Sequence, residues 1–375
     1  MKNLKYLAFC ISRNYCSQSI RQKQEIANAL ISHESFVKFQ NSVPEIVNTI
    51  LIKRAHLSLL GVEDHIKKIA DYGLYNGNKL SSSLLLYTYK KLETGKSMTE
   101  QSLYLAHVLA WAVEMFHCLF NILDDMQDKT NAQVKNVHLL SNAKAGANDM
   151  CLIISSIYEM LNVHFSGKTF FSKIVNLFNT AFLYKATGQH FDLTTSKAMS
   201  GNTTLFTMEQ YDNFVYLSNT YCSLHLPIYL GMTLADKVNE MYCEDVQDIC
   251  TDIGKLLQMQ DDYQNCFEEN DMIYKRGTDI EKGKCTWLAV TALQRCTRPQ
   301  RIVFKSCYGS AEPAHMERIK LLYKQLKLPQ LYKEQQKATS KRIVERMGML
   351  SKNNKGETLP PELFEHFLKP NNVEL

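Results

Sequence analysis

Apolar residues recur at spacings of three and four along almost the whole of this chain, which is the period of an amphipathic helix. Prolines and glycines, the residues that most often interrupt helices, number only 8 and 15 among 375 residues. Alternating β-branched and polar segments, which would indicate strands, are scarce. We therefore predict an all-α fold. Because no linker, repeat or change of composition divides residues 25–375, they are predicted to form a single domain.

The first 24 residues differ from the rest, because they contain five basic residues, several serines and no acidic residue. This composition is typical of a mitochondrial transit peptide, and a plain basic N-terminal start is the alternative. The predicted location is mitochondrial if this leader is cleaved and cytoplasmic otherwise. The 11 cysteines lack zinc-binding spacing and are odd in number, which favours reduced thiols in an intracellular compartment.

The charge and hydropathy patterns argue against two kinds of partner. The net charge is only +5 and the basic residues look dispersed along the sequence, so a nucleic-acid partner has little support. No apolar run reaches the length that a helix needs to cross a bilayer, so no membrane span is predicted.

Several helices can be placed from the pattern. Residues 25–61 are predicted to form one or two helices, residues 80–92 another, and a helix opening at residues 99–100 runs into a cluster of aspartates. A helix from residue 207 is predicted to end at Pro227, and three helices are predicted between residue 284 and residue 347. The tail, residues 351–375, is predicted to be polar.

The aspartate cluster has the sequence DDMQD at residues 124–128, directly after a long apolar run. On a helix, Asp124 and Asp128 lie one turn apart on the same face, at the rim of an apolar surface. Two carboxylates so placed repel each other and lose hydration, and a cation between them removes the conflict. The pattern predicts a bound divalent cation, although a single motif of this kind is more often a solvated helix face.

A second acidic row follows another apolar stretch. Asp261, Asn265 and Glu269 are spaced at i, i+4 and i+8, so their oxygen atoms are predicted to share one helix face. Mg²⁺ prefers such hard oxygen ligands and is commonly completed by water and a substrate phosphate. Two such rows facing each other would form a polynuclear Mg²⁺ site, and Lys275 and Lys284 could bind its anionic ligand.

Five segments together resemble the isoprenyl diphosphate synthase family, in particular the farnesyl diphosphate synthases of animals. The segments are NILDDMQD, ATGQHFDLTT, QMQDDYQN, KRGTDIEKGKCTWL and LPPELF. The resemblance implies antiparallel helices around a deep apolar pocket, with two Mg²⁺-binding acidic motifs at its mouth. It also implies three Mg²⁺ ions, for which Mn²⁺ can substitute, an allylic prenyl diphosphate substrate and a homodimer.

The chain departs from the family where cations bind a second, metal-free diphosphate. Lys79 of the family's GKxxR motif is present, and His117 occupies a position that contacts the second substrate in the family. Four positions that carry cations in the family are neutral here: Ser82 and Val134, which belong to the family's isopentenyl diphosphate pocket, and Gln133 and Ser218, which help to bind the allylic diphosphate. Because charge-assisted hydrogen bonds contribute about 1.5–3 kcal/mol each, losing the two arginines of the first pocket would weaken binding of isopentenyl diphosphate strongly.

These departures resemble the terpene synthases of insects. The predicted function is therefore a class I terpene synthase that ionises farnesyl diphosphate to a sesquiterpene. One alternative is a prenyltransferase, a farnesyl or geranyl diphosphate synthase, whose second pocket uses Lys79 and His117. The other alternative is a catalytically silent partner subunit.

The site predictions follow from the spacing and the resemblance together. The predicted metal ligands are Asp124, Asp125, Asp128, Asp261, Asn265 and Glu269, and the predicted catalytic residues are Asp124, Asp128, Asp261 and Lys275. The predicted substrate-binding residues are Lys79, His117, Gln189, Gln258, Lys275 and Lys284. Candidates to line the prenyl pocket, for which plain core packing is the favoured alternative, are Phe116, Leu119, Phe120, Phe182, Tyr216 and Tyr221. His117 and Asn121 are candidates to take a proton or position a water.

Overall fold

The computed structural model describes residues 18–52, 64–69, 78–93, 98–128, 143–198, 203–238, 240–267, 278–352 and 359–368. These residues are overwhelmingly helical and contain no β-strand, which confirms the all-α prediction. The helices are α1 (Gln18–Leu30), α2 (His33–Ile52), α3 (Leu80–Leu92), α4 (Glu100–Asp128), α5 (Ala143–Phe165), α6 (Phe171–Ala198), α7 (Met208–Val215), α8 (Leu226–Leu234), α9 (Glu240–Phe267), α10 (Asp279–Lys282), α11 (Trp287–Arg295), α12 (Arg298–Cys307), α13 (Pro313–Gln325), α14 (Leu328–Lys352) and α15 (Glu362–Leu368).

The chain divides into two compact units. Unit 1 contains residues 1–23, 181–225 and 244–375, and unit 2 contains residues 24–180 and 226–243. The first acidic stretch therefore belongs to unit 2 and the second to unit 1. The predicted boundary after residue 24 lies inside α1, which begins at Gln18.

The core of unit 2 is built around α4, whose residues 105–116 are all buried. This helix packs against α5 and α3, and α3 in turn packs against α8. The approach of α3 and α8 is close because Gly231 has no side chain. A Cβ atom there would lie 2.9 Å from the Cβ of Thr88, nearer than packed atoms tolerate.

Part of α4, Glu100–Asp124, is long and apolar enough to cross a membrane by length and composition, which differs from the sequence prediction. The most apolar window of this segment has a mean hydropathy of 1.5, and 83% of the window is buried inside the structure. Because the core helix of a globular protein passes the same test, this is weak evidence for a span.

The backbone stays helical through Pro227, contrary to the prediction that a helix ends there. A π-helix, Tyr216–His225, connects α7 to α8, and Pro227 is the second residue of α8. The wider π turn precedes the proline, and the first turn of a helix does not need the N–H that proline lacks. Pro227 therefore does not interrupt the helical backbone.

The C-terminal third contains more regular structure than predicted. Four helices, α11 to α14, follow residue 284 where three were predicted. The tail predicted to be polar contains α15, which buries Leu363, Phe364, Phe367 and Leu368. Their spacing forms one apolar helix face, but the polar residues on both sides of this short helix obscured it.

Candidate active site

The end of α4 carries the first acidic stretch and has no basic residue in its last turn. The C-terminal end of a helix is already the negative end of its dipole, so carboxylates there raise the electrostatic cost. Asp124 is half-buried at this point. The side chains of Asp125 and Asp128 lie outside the described residues, so their predicted metal-binding roles stay predictions. The arrangement favours a bound cation.

A buried ion pair lies within unit 2, where the sequence predicted a substrate-binding lysine. Lys79 Nζ donates to Glu114 Oε2 at 2.9 Å, and the two side chains are 5% and 3% exposed. Burial alone would raise the pKa of Glu114, but the charge of Lys79, with a hydrogen bond from Ser82, lowers it overall. Lys79 adopts a left-handed backbone conformation, with φ of 61°, at the start of α3.

His117 joins the same cluster. Its Nε2 atom lies 2.9 Å from Ser81 Oγ, and its charge, when present, also favours ionised Glu114. Ser82, where the family has an arginine, is buried and donates to the backbone carbonyl of Lys79 at 3.2 Å. The described part of this cluster therefore contains one lysine matched by one glutamate.

In unit 1, Asp262 is a buried anchor rather than a metal ligand. Its Oδ2 accepts hydrogen bonds from the Tyr211 hydroxyl at 2.9 Å and the Trp287 backbone N–H at 2.8 Å. Its Oδ1 accepts one from Gln258 Nε2 at 2.8 Å. Burial raises the pKa of Asp262 to about 7, reinforced by the charge of Asp279 and opposed by these hydrogen bonds. Asp262 thereby joins α7, α9 and the start of α11.

The neighbouring Asp261 points to a more open environment and meets an unexpected cation. Lys23 Nζ lies 3.2 Å from Asp261 Oδ2, with side chains 26% and 36% exposed. The sequence prediction assigned Lys23 to a leader and missed this contact. The signal that could have found it is the apolar spacing of Ile26, Ala27 and Leu30, all buried, which marks α1 as a structural helix.

Further charged groups surround Asp261 within unit 1. The Asp279 backbone N–H donates to Asn265 Oδ1 at 3.3 Å, and Lys284 Nζ lies 3.4 Å from Asp192 Oδ2. Burial raises the pKa of Asp279 to about 6; Lys284 opposes this shift, while the charges of Asp261 and Asp192 reinforce it. The structure thus brings Asp261, Asn265 and Lys284 into one electrostatic neighbourhood.

The structure also describes the surroundings of the two glutamines that were predicted to bind substrate. The Gln258 amide already donates to Asp262 and accepts from Asn219, so contact with a diphosphate would require a change of partner. Gln189 is half-buried and follows Gly188. A Cβ at Gly188 would lie 2.1 Å from Ser218 Oγ, so Ser218, one of the neutral positions, packs directly against α6.

The donor set fits a divalent metal only in part. No three His, Cys, Asp or Glu side chains among the described residues form a group that could hold a metal ion unaided. Asp261 and Asn265 nevertheless offer hard oxygen atoms, and the Lys23 ammonium group stands where a cation would neutralise Asp261. Mg²⁺ keeps several waters and takes oxygen atoms from substrate phosphates, so it needs few protein ligands. Glu269 and Lys275 lie outside the described residues.

Three of the predicted pocket aromatics are buried. Phe116, Phe120 and Tyr221 are at most 7% exposed. The rings of Phe116 and Phe120 pack 5.1 Å apart, and those of Tyr184 and Tyr221 pack 4.9 Å apart. Such packing is typical of core residues and also suits the wall of an apolar pocket, so the pocket role of these three stays a prediction. Leu119 is buried as well, Phe182 and Tyr216 are half-buried, and Asn121 is exposed.

A profile of the family described as "Polyprenyl synthetase" matches residues 63–326. The chain is also 30% identical over 359 residues to the farnesyl pyrophosphate synthase of Murgantia histrionica, covering 93% of this chain and 86% of that protein. This chain belongs to the polyprenyl synthetase family. A second relative, farnesyl pyrophosphate synthase 2 of Arabidopsis thaliana, is 31% identical over 282 residues, covering 74% of this chain and 82% of the relative.

Solved structures support the fold of this polyprenyl synthetase. Farnesyl pyrophosphate synthase of T. brucei superposes with a TM-score of 0.77, covering 90% of this chain and 99% of that chain at 22% identity. The T. brucei enzyme complexed with homorisedronate gives a TM-score of 0.80 at 22% identity. At this identity the likeness shows the all-α isoprenoid synthase fold.

The prediction of a class I terpene synthase is wrong, because the family match and these relatives point to the synthases that build prenyl diphosphates. That prediction relied on neutral residues at positions such as Ser82 and Val134. Absence of a cation at one aligned position does not remove positive charge from a site, since another part of the chain can supply it. Lys23 is an unaligned cation of this kind, although it lies at Asp261 in unit 1 and not at Ser82 in unit 2. The chain is an enzyme of the polyprenyl synthetase family.

Proposed function

We propose that this enzyme is a prenyltransferase that condenses isopentenyl diphosphate with an allylic diphosphate, as a farnesyl diphosphate synthase or a near relative. The observation that carries the proposal is the half-buried acidic face of α9. There, Asp261 and Asn265 offer oxygen atoms, Lys23 lies against Asp261, and Lys284 is held by Asp192 in the same unit. Oxygen ligands combined with nearby ammonium groups suit a metal-bound diphosphate.

We assign the metal to the acidic stretches at the ends of α4 and α9. The residues that would hold Mg²⁺, or Mn²⁺ in its place, are Asp124, Asp125, Asp128, Asp261, Asn265 and Glu269. When bound, the ions neutralise the diphosphate of the allylic substrate and make it a better leaving group. This role agrees with the absence of basic residues in the last turn of either helix.

The lysines of unit 1 act on the same diphosphate. Lys284 and Lys275 bind its oxygen atoms as point charges, and Asp192 holds Lys284 in position. The reaction breaks the C–O bond of the allylic diphosphate, joins its carbon to isopentenyl diphosphate and releases a proton and diphosphate. Gln189 and Gln258 remain proposed substrate-binding residues.

The polar cluster of unit 2 is the proposed site of the second diphosphate. Lys79 and His117 are its cationic candidates, and both are already oriented by hydrogen bonds to Glu114 and Ser81. Because Glu114 cancels the charge of Lys79, we expect a weaker hold on isopentenyl diphosphate than two arginines would give, with a correspondingly high KM.

One assay tests the function. The purified full-length protein is incubated with Mg²⁺ and geranyl diphosphate, with and without isopentenyl diphosphate, and the products are dephosphorylated and identified by mass spectrometry. We expect a longer prenyl alcohol only when both substrates are present, and none after addition of EDTA. Failure to elongate any of dimethylallyl, geranyl or farnesyl diphosphate would overturn the proposal.

The cellular location and the oligomeric state are proposed from less specific observations. One relative, from Arabidopsis thaliana, is named "Farnesyl pyrophosphate synthase 1, mitochondrial", and the basic leader supports the same location here. Removal of all 24 residues would also remove Lys23, so we expect processing before Gln18, where α1 begins. N-terminal sequencing of the mature protein tests this. Light scattering of the purified protein tests the proposed homodimer.

A further inference from the structure

The predicted dispersal of basic residues does not hold for one helical hairpin, which carries a large excess of positive charge. Residues 295–327, which contain α12 and α13, include eight lysines and arginines but only two glutamates. The net charge of this segment exceeds that of the whole chain, which is +5. The two helices pack against each other within unit 1. We call residues 295–327 the basic hairpin.

The basic side chains of the hairpin lie largely on its outer surface. Seven of the eight are exposed: Arg295, Arg298, Arg301, Lys305, Arg318, Lys324 and Lys327. Of the two acidic residues, Glu317 lies 3.8 Å from Lys320, and Glu312, the residue before α13, lies 3.3 Å from His315. The surface therefore keeps a strong positive potential.

Large apolar side chains are exposed on the same hairpin. Ile302 is 65% exposed, Leu321 56% and Val303 39%, and they are three of the six large hydrophobic residues that the described part of the chain exposes. The core side of the hairpin is already defined by buried Phe304 and Ile319. Ile302 and Leu321 lie about half a helical turn from these residues and so point away from the core.

We propose that the basic hairpin docks on an anionic lipid surface, with its lysines and arginines at the headgroups and Ile302 and Leu321 inserted among them. A nucleic acid would use the positive charge but offers nothing to exposed aliphatic side chains. A lipid interface uses both, because anionic headgroups attract basic residues and the acyl boundary accepts apolar ones. The proposal does not depend on the proposed reaction, although Lys320 and Lys324 of the hairpin act electrostatically on Cys266, which follows Asn265 of the acidic site.

Vesicle sedimentation tests the proposal with the full-length protein. We expect it to bind phosphatidylcholine vesicles containing about 30% phosphatidylserine, to bind pure phosphatidylcholine at least about tenfold more weakly, and to be released by salt. Lys305→Glu with Lys324→Glu should lower the partition coefficient about tenfold or more. Ile302→Ser with Leu321→Ser should lower it severalfold without changing the salt dependence.

Matched control variants test whether vesicle binding requires the basic hairpin or only exposed positive charge and apolar side chains anywhere on the protein. Lys333→Glu with Lys337→Glu makes the same charge change at exposed positions of α14, and Met349→Ser removes an exposed apolar side chain there. Both should bind vesicles as the parent protein does. Equal loss in these controls, equal binding to neutral vesicles, or binding to duplex RNA with no binding to vesicles would overturn the proposal.

Discussion

Each of the two helices that end in acidic stretches buries carboxylates, and Glu114 of α4 and Asp262 of α9 are stabilised in different ways. On α4, Glu114 is paired with the Lys79 ammonium group, and its pKa is lowered overall. On α9, Asp262 has no such cation at hydrogen-bond distance among the described residues; it accepts three hydrogen bonds, and burial raises its pKa to about 7. The first carboxylate stays charged at physiological pH, whereas the second titrates there. The difference predicts distinct responses to substitution and to pH.

The largest effect is expected from breaking the charged pair. Lys79→Met leaves Glu114 buried without its cation, and removing one partner of a buried pair costs about 3–5 kcal/mol. We expect a loss of that size in the free energy of unfolding, measured by urea denaturation at pH 7.

The matched control removes both charges. Lys79→Met combined with Glu114→Leu should recover most of the lost stability, because neither buried charge then remains unpaired. If the double variant is as unstable as the single one, the cost comes from lost packing at Lys79 rather than from the unpaired carboxylate.

The next effect concerns Asp124 and Asp261, the half-buried carboxylates that are proposed to hold the metal. Asp124→Ala and Asp261→Ala should each lower kcat about 10²- to 10³-fold, because each removes negative charge proposed to hold the metal. The control is Asp212→Ala: its carboxylate is as exposed as that of Asp261, at 36%, and is likewise paired with a lysine, Lys255. Circular dichroism should show the folded state in all three. Loss of activity in only one of the first two would restrict metal binding to that helix.

The sequence predicted the fold well because helical periodicity is a local property that repeats along the chain. It also predicted a metal-binding role for Asp261 from the i, i+4 spacing with Asn265, and that role stays a prediction. It could not predict that Gln258 holds Asp262, or that Lys23 reaches Asp261. Such contacts join residues far apart in sequence, and no periodicity encodes them. The prediction of the reaction was wrong because only cations at positions aligned with the family's motifs were counted.

A pH-dependent effect distinguishes Asp262 from Glu114. The pKa of Asp262 rises from an ordinary value of 3.8 to about 7 on folding, so the folded protein retains a proton that the unfolded chain loses. The resulting stability is complete below pH 3.8 and is lost as the pH rises to about 7, at up to about 1.4 kcal/mol per pH unit.

Asp262→Asn cannot titrate, and comparing it with the parent isolates this term. Relative to the parent, the variant should gain about 2 kcal/mol or more between pH 5 and pH 7 in urea unfolding. A difference between the parent and Asp262→Asn that does not vary with pH would mean that Asp262 is ionised throughout.

The smallest effect tests whether the cation at Asp261 competes with metal. The ammonium group of Lys23 lies 3.2 Å from the oxygen atom that a metal ion would use, so metal binding must displace it. Partly exposed ion pairs contribute about 0.2–1 kcal/mol, so Lys23→Gln should tighten Mg²⁺ binding by about 1.5- to 5-fold. Isothermal titration with Mg²⁺ alone, without substrate, measures this directly.

Two further variants make the competition specific. Lys23→Arg keeps the positive charge and should bind Mg²⁺ as weakly as the parent. Lys38→Gln removes a lysine whose partner, Glu34, lies on the exposed surface of α2 and should leave the affinity unchanged. Weaker Mg²⁺ binding in Lys23→Gln would contradict the competition, because it would mean that Lys23 orients Asp261 for the metal. In that case α1 would support the acidic face of α9 instead of opposing its metal, and processing that removed Lys23 would lower metal affinity rather than raise it.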